Sequence, residues 1–469
     1  FASSYYSLGT ILVDLGKINE AIIAYKKSIK LDRNLSPAKL GLIQAKGIIC
    51  DWSEQEKHTN WIDNFEIEGS GINPGIILYY KDDPLTQLNI AKDFYKKNYY
   101  KDSIKLPKFN NKKINIGYFS SDFRSHPQMY LMGCLFRLHD KSKFNIYLYS
   151  SVKNEDEYTQ IAKESGCIFR DIKELNDEEA IELARSDQLD IAVDRMGYMA
   201  GHRMNIFASR VAPIQIHYLA FPGTIGGNCI DYLIADNIII PKKYEKYYSE
   251  KIIRMPNCYQ CNDNTKEISK EHICRKDFNL PDQAFVFTCF CANKKITPKE
   301  FDIWMQLLVK IKGSVIWLYE SNEYVVNNLI DEAKKRNIDP ERLIFAKKLP
   351  LKNHLARHAL GDLALDTFSY NGHTTTSDAL WAGLPVLTKI GASFAARVSA
   401  SILTYMGLPE LIASNEKEYE EMALNLARNP QELLKLKAKL AKAREKSTVY
   451  NSELFARDLE NKFKELVKK

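Results

Sequence analysis

Apolar positions along the chain keep two different periods. From Phe1 to about residue 35 they recur at helical spacing, with Leu8-Gly9, Gly16, Ala21 and Tyr25 marking a two-helix unit that Leu31-Asp32 closes. Small residues let the two helices approach, and Tyr25 fills the groove between them. From residue 36 to about 108 the pattern stays helical but turns polar and aromatic. Cys50-Asp51-Trp52-Ser53 begins one stretch, and Asp82-Asp83-Pro84 opens a helix running through Ala91 to Tyr95. Lys- and Asn-rich sequence from Tyr99 to Lys113 reads as a linker. After Lys113 short apolar runs alternate with helical stretches. Strands are expected at Ile114–Phe119, Phe144–Ser150 and Ile191–Val193, with a helix from about Met129 to Leu138. A second set is expected at Ala284–Phe290, Ser314–Tyr319, Leu343–Phe345, Leu363–Leu365 and Val386–Thr388. Such alternation predicts two domains with parallel sheets and covering helices, separated at about residues 240–280. Ligands of such folds bind at the carboxyl ends of the strands, here in the crevice between the domains.

The first two helices carry the spacing of a tetratricopeptide repeat, with an ordinary helical hairpin as the plain alternative. One repeat cannot bury its own face, so more repeats are expected before Phe1. The chain starts in mid-motif without Met and reads as a fragment, with any targeting segment upstream out of view. The expected domains are 1–50 (end of the repeat array), 51–108 (helical adaptor and linker), 109–240 (acceptor-side α/β domain) and 241–469 (nucleotide-binding α/β domain with a closing C-terminal helix). The 469 residues include 66 basic and 59 acidic ones, and the net charge of +7 is spread along the chain. That balance suits anionic small ligands at least as well as nucleic acid, and no nucleic-acid partner is expected. No run of eighteen apolar residues predicts a membrane span. Nine scattered cysteines suit a reduced, cytoplasmic setting. Cys258, Cys261, His272 and Cys274 begin like a zinc site, but the second half matches poorly, and plain thiols are expected.

Several segments could carry chemistry. Leu363 to Pro385 reads L-A-L-D-T-F-S-Y-N-G-H-T-T-T-S-D-A-L-W-A-G-L-P. A strand runs into a turn at Asn371-Gly372, and a helix opens at His373 or Thr374. Unsatisfied N–H groups at such a start can cradle phosphate, Thr374 and Thr375 add hydroxyls, and Asp378 can hold ribose hydroxyls. The plain alternative is a helix capped by Thr. Phe290 to Pro298, F-C-A-N-K-K-I-T-P, again joins a strand to a helix. Lys295 there could neutralise a diphosphate, or be a solvated surface lysine. His354 and Arg357, three apart on a helix, could contact base, ribose or phosphate, or face solvent. Ser120 to Pro127, S-S-D-F-R-S-H-P, follows a strand and offers His126 as an ionisable group. Asp190 to Arg203 contains Gly197-Tyr198 and leads to Ala212-Pro213-Ile214-Gln215 and Phe221-Pro222-Gly223-Thr224-Ile225-Gly226. Its Pro-Gly-Thr and further Gly suggest backbone that must approach a ligand closely, or a plain turn.

In their order these segments resemble the O-GlcNAc transferase/SPINDLY family over roughly residues 109 to 465. S-S-D-F-x-x-H-P, G-Y with A-P-I-Q, P-G-T-x-G and D-Y-L-I-A-D (Asp231–Asp236) look like its first catalytic half. Y-S-E-K-I (Tyr248–Ile252), K-I-T-P, N-G-H-T-T-x-x-D-x-L-W-A-G-x-P, F-A-A-R-V (Phe394–Val398) and P-E-L-I (Pro409–Ile412) look like its second. The repeat end and the C-D-W-S segment resemble its bacterial branch.

The resemblance implies a GT-B type fold with two Rossmann-like domains behind an all-α tetratricopeptide segment. It implies an inverting transfer, independent of metal or cofactor, from a UDP-sugar, foremost UDP-GlcNAc, to Ser or Thr hydroxyls of a protein bound through the tetratricopeptide groove. Carried over by position, Lys295, His373, Thr374 and Thr375 hold the diphosphate, Asp378 the ribose, and His354 and Arg357 border the nucleotide. His126 lies near sugar and acceptor, as do Tyr198, Pro222, Gly223 and Thr224. His126 is the first candidate for the base and Asp190 the second, with relay through water or a phosphate oxygen also open. Cys291, Ala292 and Lys294 stand where the family often carries Asn- or Gln-rich sequence and a Tyr. Asp190 and Leu351 stand where animal members have His and Lys. UDP-glucose and GDP-fucose therefore remain open as donors. An inactive repeat scaffold and a nucleotide-sugar epimerase are the rival classes. Retained Lys295, His373 and Asp378 argue against the first, and the repeats argue against the second.

Overall fold

The computed structural model describes residues 1–57, 61–62, 69–102 and 104–468. Residues 58–60, 63–68 and 103 of the expected 51–108 adaptor lie outside the described residues. Two compact units divide the chain. One comprises Phe1–Glu66, Ile76–Asp82 and Glu267–Lys446, the other Ile67–Gly75, Asp83–Lys266 and Ser447–Lys469. Each is built on one parallel sheet, of six and seven strands respectively.

The six-stranded unit begins with helices α1 (Ala2–Asp14), α2 (Ile18–Leu31) and α3 (Ser36–Ile48). Tyr25 of α2 is 2% exposed and wedges against Gly9 of α1 and Gly41 of α3, as the spacing predicts. A Cβ at Gly9 would stand 2.6 Å from its ring. The C-D-W-S segment follows. Trp52 is buried against Phe301, ring centroids 5.3 Å apart, inside the core beneath the six-stranded sheet. Truncating a buried Trp of this kind costs about 3–5 kcal/mol, so the segment is core rather than linker.

In the seven-stranded unit, α4 (Pro84–Asn98) starts because Asp83 accepts from Leu85 N and Thr86 N and Pro84 needs no donor at the first helical position. Its strands are β1 (Ile114–Ser120), β2 (Phe144–Ser150), β3 (Ile168–Asp171), β4 (Ile191–Asp194), β5 (Ile214–His217), β6 (Tyr232–Ala235) and β7 (Lys251–Arg254), in the order β3-β2-β1-β4-β5-β6-β7. Helix α5 (Pro127–Leu138) follows β1. The six-stranded sheet comprises β8 (Val286–Cys289), β9 (Val315–Tyr319), β10 (Leu343–Ala346), β11 (Leu363–Leu365), β12 (Val386–Lys389) and β13 (Ile412–Ala413), in the order β10-β9-β8-β11-β12-β13. Its helices include α6 (Pro298–Lys310), α7 (Leu351–Arg357) and α8 (Thr374–Trp381). K-I-T-P is the start of α6, where Thr297 and Glu300 form a capping box around Pro298. Every strand pair is parallel. In both sheets the order reverses beside the first strand, between β1 and β4 and between β8 and β11. Ligands of doubly wound sheets bind at such switch points.

Two expectations need correction. The boundary at 240/241 falls inside the seven-stranded unit, because β7 pairs with β6 through Tyr232–Lys251 and Ala235–Arg254. Y-S-E-K-I therefore belongs to the seven-stranded sheet. The C-terminal helix α9 (Ser452–Lys468) does not close the six-stranded unit. It packs in the seven-stranded one, where buried Glu460 meets His139 Nδ1 at 3.2 Å and accepts from Asp140 N at 2.8 Å. Among the described residues no helix is long and apolar enough to cross a membrane.

Candidate functional site

At the switch point of the six-stranded sheet two turns converge, one after β8 and one after β11. Asp366 ends the run L-A-L-D. Its carboxylate accepts from Thr367 N (2.9 Å), Gly372 N (2.6 Å) and Thr388 Oγ1 (2.7 Å). These bonds fold residues 367–372 back over the strand and aim the start of α8. His373 occupies the cap position with helical dihedrals, and no side chain caps the helix. The Thr-capped alternative is thus not what the fold adopts. The backbone N–H groups of the first turn lack partners within the helix, the condition in which a helix start can hold an anion.

Lys295 comes from the turn after β8. Its Nζ donates to Asn371 O at 2.7 Å and stands 4.0 Å from the Tyr370 ring centroid. Among the described residues no carboxylate lies within ion-pair distance of it. Burial pulls its pKa down to about 8, with Cys291 and then Asp366 acting in the opposite direction. His373 stacks on Tyr370 at 4.9 Å, its Nε2 lies 3.3 Å from Ala395 O, and burial, then Lys295, holds it below the usual range. Thr374 and Thr375 are half-buried, and Thr375 Oγ1 lies 3.2 Å from Cys291 Sγ. Asp378 is buried one turn further into α8. The fold therefore brings Lys295, His373, Thr374 and Thr375 to one place, with Asp378 beneath.

His354 and Arg357 behave differently. Arg357 is 1% exposed, with its guanidinium 4.6 Å from the Phe290 centroid and 5.8 Å from Trp317, donating to Lys347 O at 2.6 Å. It sits against the β8 and β10 ends with its Nε buried and, among the described residues, without a hydrogen-bond partner. His354 packs against Phe290 at 5.5 Å, and burial takes its pKa down to about 3, so it is a neutral ring.

In the seven-stranded unit, His126 caps α5. Its Nδ1 lies 3.3 Å from Gln128 N and 3.4 Å from Asp122 Oδ2. The helix N–H favours the Nε2–H tautomer, while Asp122 favours Nδ1–H, which frees Nε2 to take a proton. Burial lowers the His126 pKa and Asp122 partly restores it. Asp190 does not join it. It lies before β4, at the amino end of the sheet, where its carboxylate accepts from Asn115 N (2.8 Å) and Asn111 Nδ2 (3.0 Å). The parallel register puts this end opposite the one carrying His126, so Asp190 ties strands together.

Tyr198, Pro222, Gly223 and Thr224 cluster in loops after β4 and β5, and all are buried. Tyr198 donates to Ile225 O at 2.6 Å and packs edge-on against Phe94 and Phe221. Thr224 donates to buried Glu250 at 2.7 Å. The glycines after it pack against α4: a Cβ at Gly227 would strike the Tyr95 ring. Of the cysteines in the expected C-x2-C check, Cys258 and Cys261 are buried and Cys274 is exposed. Among the described residues no group of three or more His, Cys, Asp or Glu is placed to hold a metal ion.

Sequence reasoning missed Asp366, Tyr370, Tyr79 and Asp82. Asp366 had a visible cue, a carboxylate directly after an apolar strand. Asp82 had none, since Asp82-Asp83 reads as one helix-start run.

A family model described as Glycosyl transferase family 41 matches residues 86–273 and 265–459. The chain belongs to that family. A tetratricopeptide repeat model matches residues 2–35. The chain is 29% identical over 450 residues to the probable UDP-N-acetylglucosamine–peptide N-acetylglucosaminyltransferase SEC of Arabidopsis thaliana, covering 90% of this chain and 46% of that protein. It is 30% identical over 370 residues to the corresponding SPINDLY protein of Oryza sativa subsp. japonica, covering 77% and 39%. The chain thus spans less than half the length of these curated relatives. A solved mutant of the Thermobaculum terrenum O-GlcNAc transferase superposes with a TM-score of 0.84 at 25% identity, over 100% of this chain and 91% of that one. The family 41 match covers both sheets, and the turns carrying Lys295 and Asn371–Asp378 lie inside its second segment.

Proposed function

We propose that this family 41 chain transfers GlcNAc from UDP-GlcNAc to Ser or Thr hydroxyls of proteins, with inversion and without a metal ion. The observation that carries the reading is the uncapped start of α8 beside a lysine that, among the described residues, has no carboxylate partner. An ammonium and a set of free N–H groups at one turn are what a diphosphate requires.

In the proposed step the acceptor oxygen bonds to the sugar C1 from the face opposite UDP. The C1–O bond to the β-phosphate breaks, and UDP leaves with the electron pair. Lys295 and the first turn of α8 meet the charge that grows on the phosphate, so they act most strongly in the transition state. The acceptor proton goes to a base, for which His126 is the first candidate, or through water to a phosphate oxygen. The tetratricopeptide segment is proposed to present the acceptor chain. The names of the relatives favour UDP-GlcNAc. The departures at Cys291, Ala292 and Lys294 keep UDP-glucose and GDP-fucose as the alternatives.

The test is donor hydrolysis and transfer over UDP-GlcNAc, UDP-glucose and GDP-fucose in excess EDTA. Turnover of UDP-GlcNAc that survives EDTA is expected. Turnover restored only by Mn²⁺ would overturn the metal-free mechanism, and no turnover of any donor would favour a scaffold.

A further inference from the structure

The helical segment ahead of the sheets reads in sequence as adaptor and linker, yet two parts of it reach the turns just described. Cys50, at the end of the repeat helices, points its Sγ at Asn293 O (3.6 Å), in the turn that carries Lys294 and Lys295. Asn328 Nδ2 donates to Ile49 O at 2.7 Å from the other side. The second part is residues 79–82. Tyr79 stacks on Tyr370 with centroids 5.0 Å apart and planes 14° apart, and Lys294 Nζ lies 4.9 Å from the Tyr79 centroid. Asp82 accepts from Ala392 N at 2.8 Å and from Ser393 N at 2.7 Å. The approach is so close that a Cβ at Gly391 would collide with Asp82 Oδ2, which explains glycine there.

The loop that Asp82 holds is not peripheral. Asn371 N donates to Ala395 O at 2.9 Å, His373 Nε2 faces the same carbonyl, and Gly391 N donates to Ala396 O at 2.8 Å. Loop 391–396 therefore fixes the turn that opens α8. Asp82 fixes the loop, and Tyr79 braces the Tyr370 ring against which Lys295 and His373 lie. No atom of Asp82 needs to touch a ligand for this to matter.

We infer that residues 79–82 are a working part of the donor seat, with Asp82 as the positioning residue that holds loop 391–396 and so sets the geometry of the α8 start. The inference rests on the reading of that turn as a diphosphate seat. A charge-bearing strut from the repeat side then makes donor affinity depend on the conformation of the segment that joins the repeats to the sheet.

The test uses the full chain with Asp82→Ala and the milder Asp82→Asn, which keeps one acceptor oxygen. UDP affinity is measured by calorimetry, amide exchange by mass spectrometry over 391–396, and folding by melting. Asp82→Ala is expected to lose exchange protection in that loop and weaken UDP binding about tenfold, the scale of losing charge-assisted hydrogen bonds. Asp82→Asn should fall between it and wild type, which also serves if the alanine variant does not fold. Unchanged exchange overturns the strut. Lost protection with unchanged UDP affinity overturns its link to the seat. A wild-type protein that binds no UDP, with exchange altered as expected, instead overturns the donor reading itself.

Discussion

Two aspartates occupy corresponding places in the two sheets. Asp194 ends β4 and Asp366 follows β11, each on the strand beside the switch point, and each folds back the turn that follows. Asp194 accepts from Met196 N (2.9 Å) and Gly197 N (2.9 Å). Asp366 does the same for Thr367 N and Gly372 N. Each also reaches the neighbouring strand, and there they differ. Asp194 pairs with His217 Nδ1 of β5 at 2.9 Å, whose other nitrogen lies 2.7 Å from Phe221 O. Asp366 instead meets the neutral Thr388 hydroxyl of β12, with the Ser399 hydroxyl as a further neutral partner. In the seven-stranded unit the carboxylate has an imidazole partner inside the cluster, whose pKa that contact raises. In the six-stranded unit the nearby cation is Lys295, which is not bound to the carboxylate and remains available to an anion. One scaffold device thus serves a structural knot in one half and, on the proposed reading, a donor seat in the other.

The comparison breaks first at Lys295. Lys295→Met keeps length and removes charge. Turnover is expected to fall roughly 100- to 1,000-fold, as for loss of one preorganised contact to developing charge. UDP-sugar affinity should fall much less, because that charge exists only in the transition state. Steady-state kinetics beside calorimetry separates the two. Wild-type turnover would return Lys295 to the role of a surface lysine and place the phosphate contact wholly on the helix at Thr374 and Thr375.

The two aspartates should then differ in stability. Asp194→Asn removes the partner of a fully buried imidazole. Burial alone would depress the His217 pKa, but Asp194 outweighs it and raises it above the usual value. That variant should lose roughly 2–3 kcal/mol in denaturant unfolding, against about 1 kcal/mol for Asp366→Asn, where an amide oxygen can still accept from Gly372 N. The pH profile separates them as well. A raised histidine pKa means that the Asp194–His217 stabilisation is present below the unfolded value of 6.5 and lost as pH rises through the folded value. Equal losses in the two variants, at all pH values, would remove the distinction between knot and seat.

How far the sequence alone reaches is visible in the same residues. Long apolar runs gave β1, β2 and β9 nearly to the residue, because burial on both faces leaves a continuous apolar signature. Strands β5 to β7 were not separable: they have four residues each and carry Gln215, His217, Tyr232 and Lys251 among the apolar ones. That loss moved the domain boundary, since β7 was the evidence for where the first sheet ends. The local structure of the proposed seat was legible, because strand, turn and helix start lie within one short stretch from Leu363 to Asp378. Asp82 was not, since its partners lie 310 and 311 positions away and no local pattern records a contact of that range. The burial of Arg357 was out of reach for a related reason. Spacing on a helix shows a face, but not whether aromatic rings bury it.

The pH response of Lys295 is the effect most specific to the proposed seat. Burial lowers the Lys295 pKa from 10.5 to about 8. The ammonium is the form that holds a diphosphate. Below pH 8 it is already present. Above that value binding must first recover the proton, so UDP affinity should fall as pH rises and be roughly tenfold weaker one unit higher. Lys295→Arg, charged throughout, should show no such limb. The ligand-free protein should respond with the opposite sign. Between about pH 8 and 10.5 the unfolded chain holds this proton and the folded one does not, so stability contributed by this residue rises with pH across that window. Relative to Lys295→Met, the wild type should therefore be less stable below pH 8 and draw level towards pH 10.5. Taking the difference between the two proteins removes the titration of tyrosines and thiols common to both. A flat difference across the window, together with UDP affinity that ignores pH, would mean that the lysine is already paired. The contrast with the closed Asp194–His217 knot would then disappear.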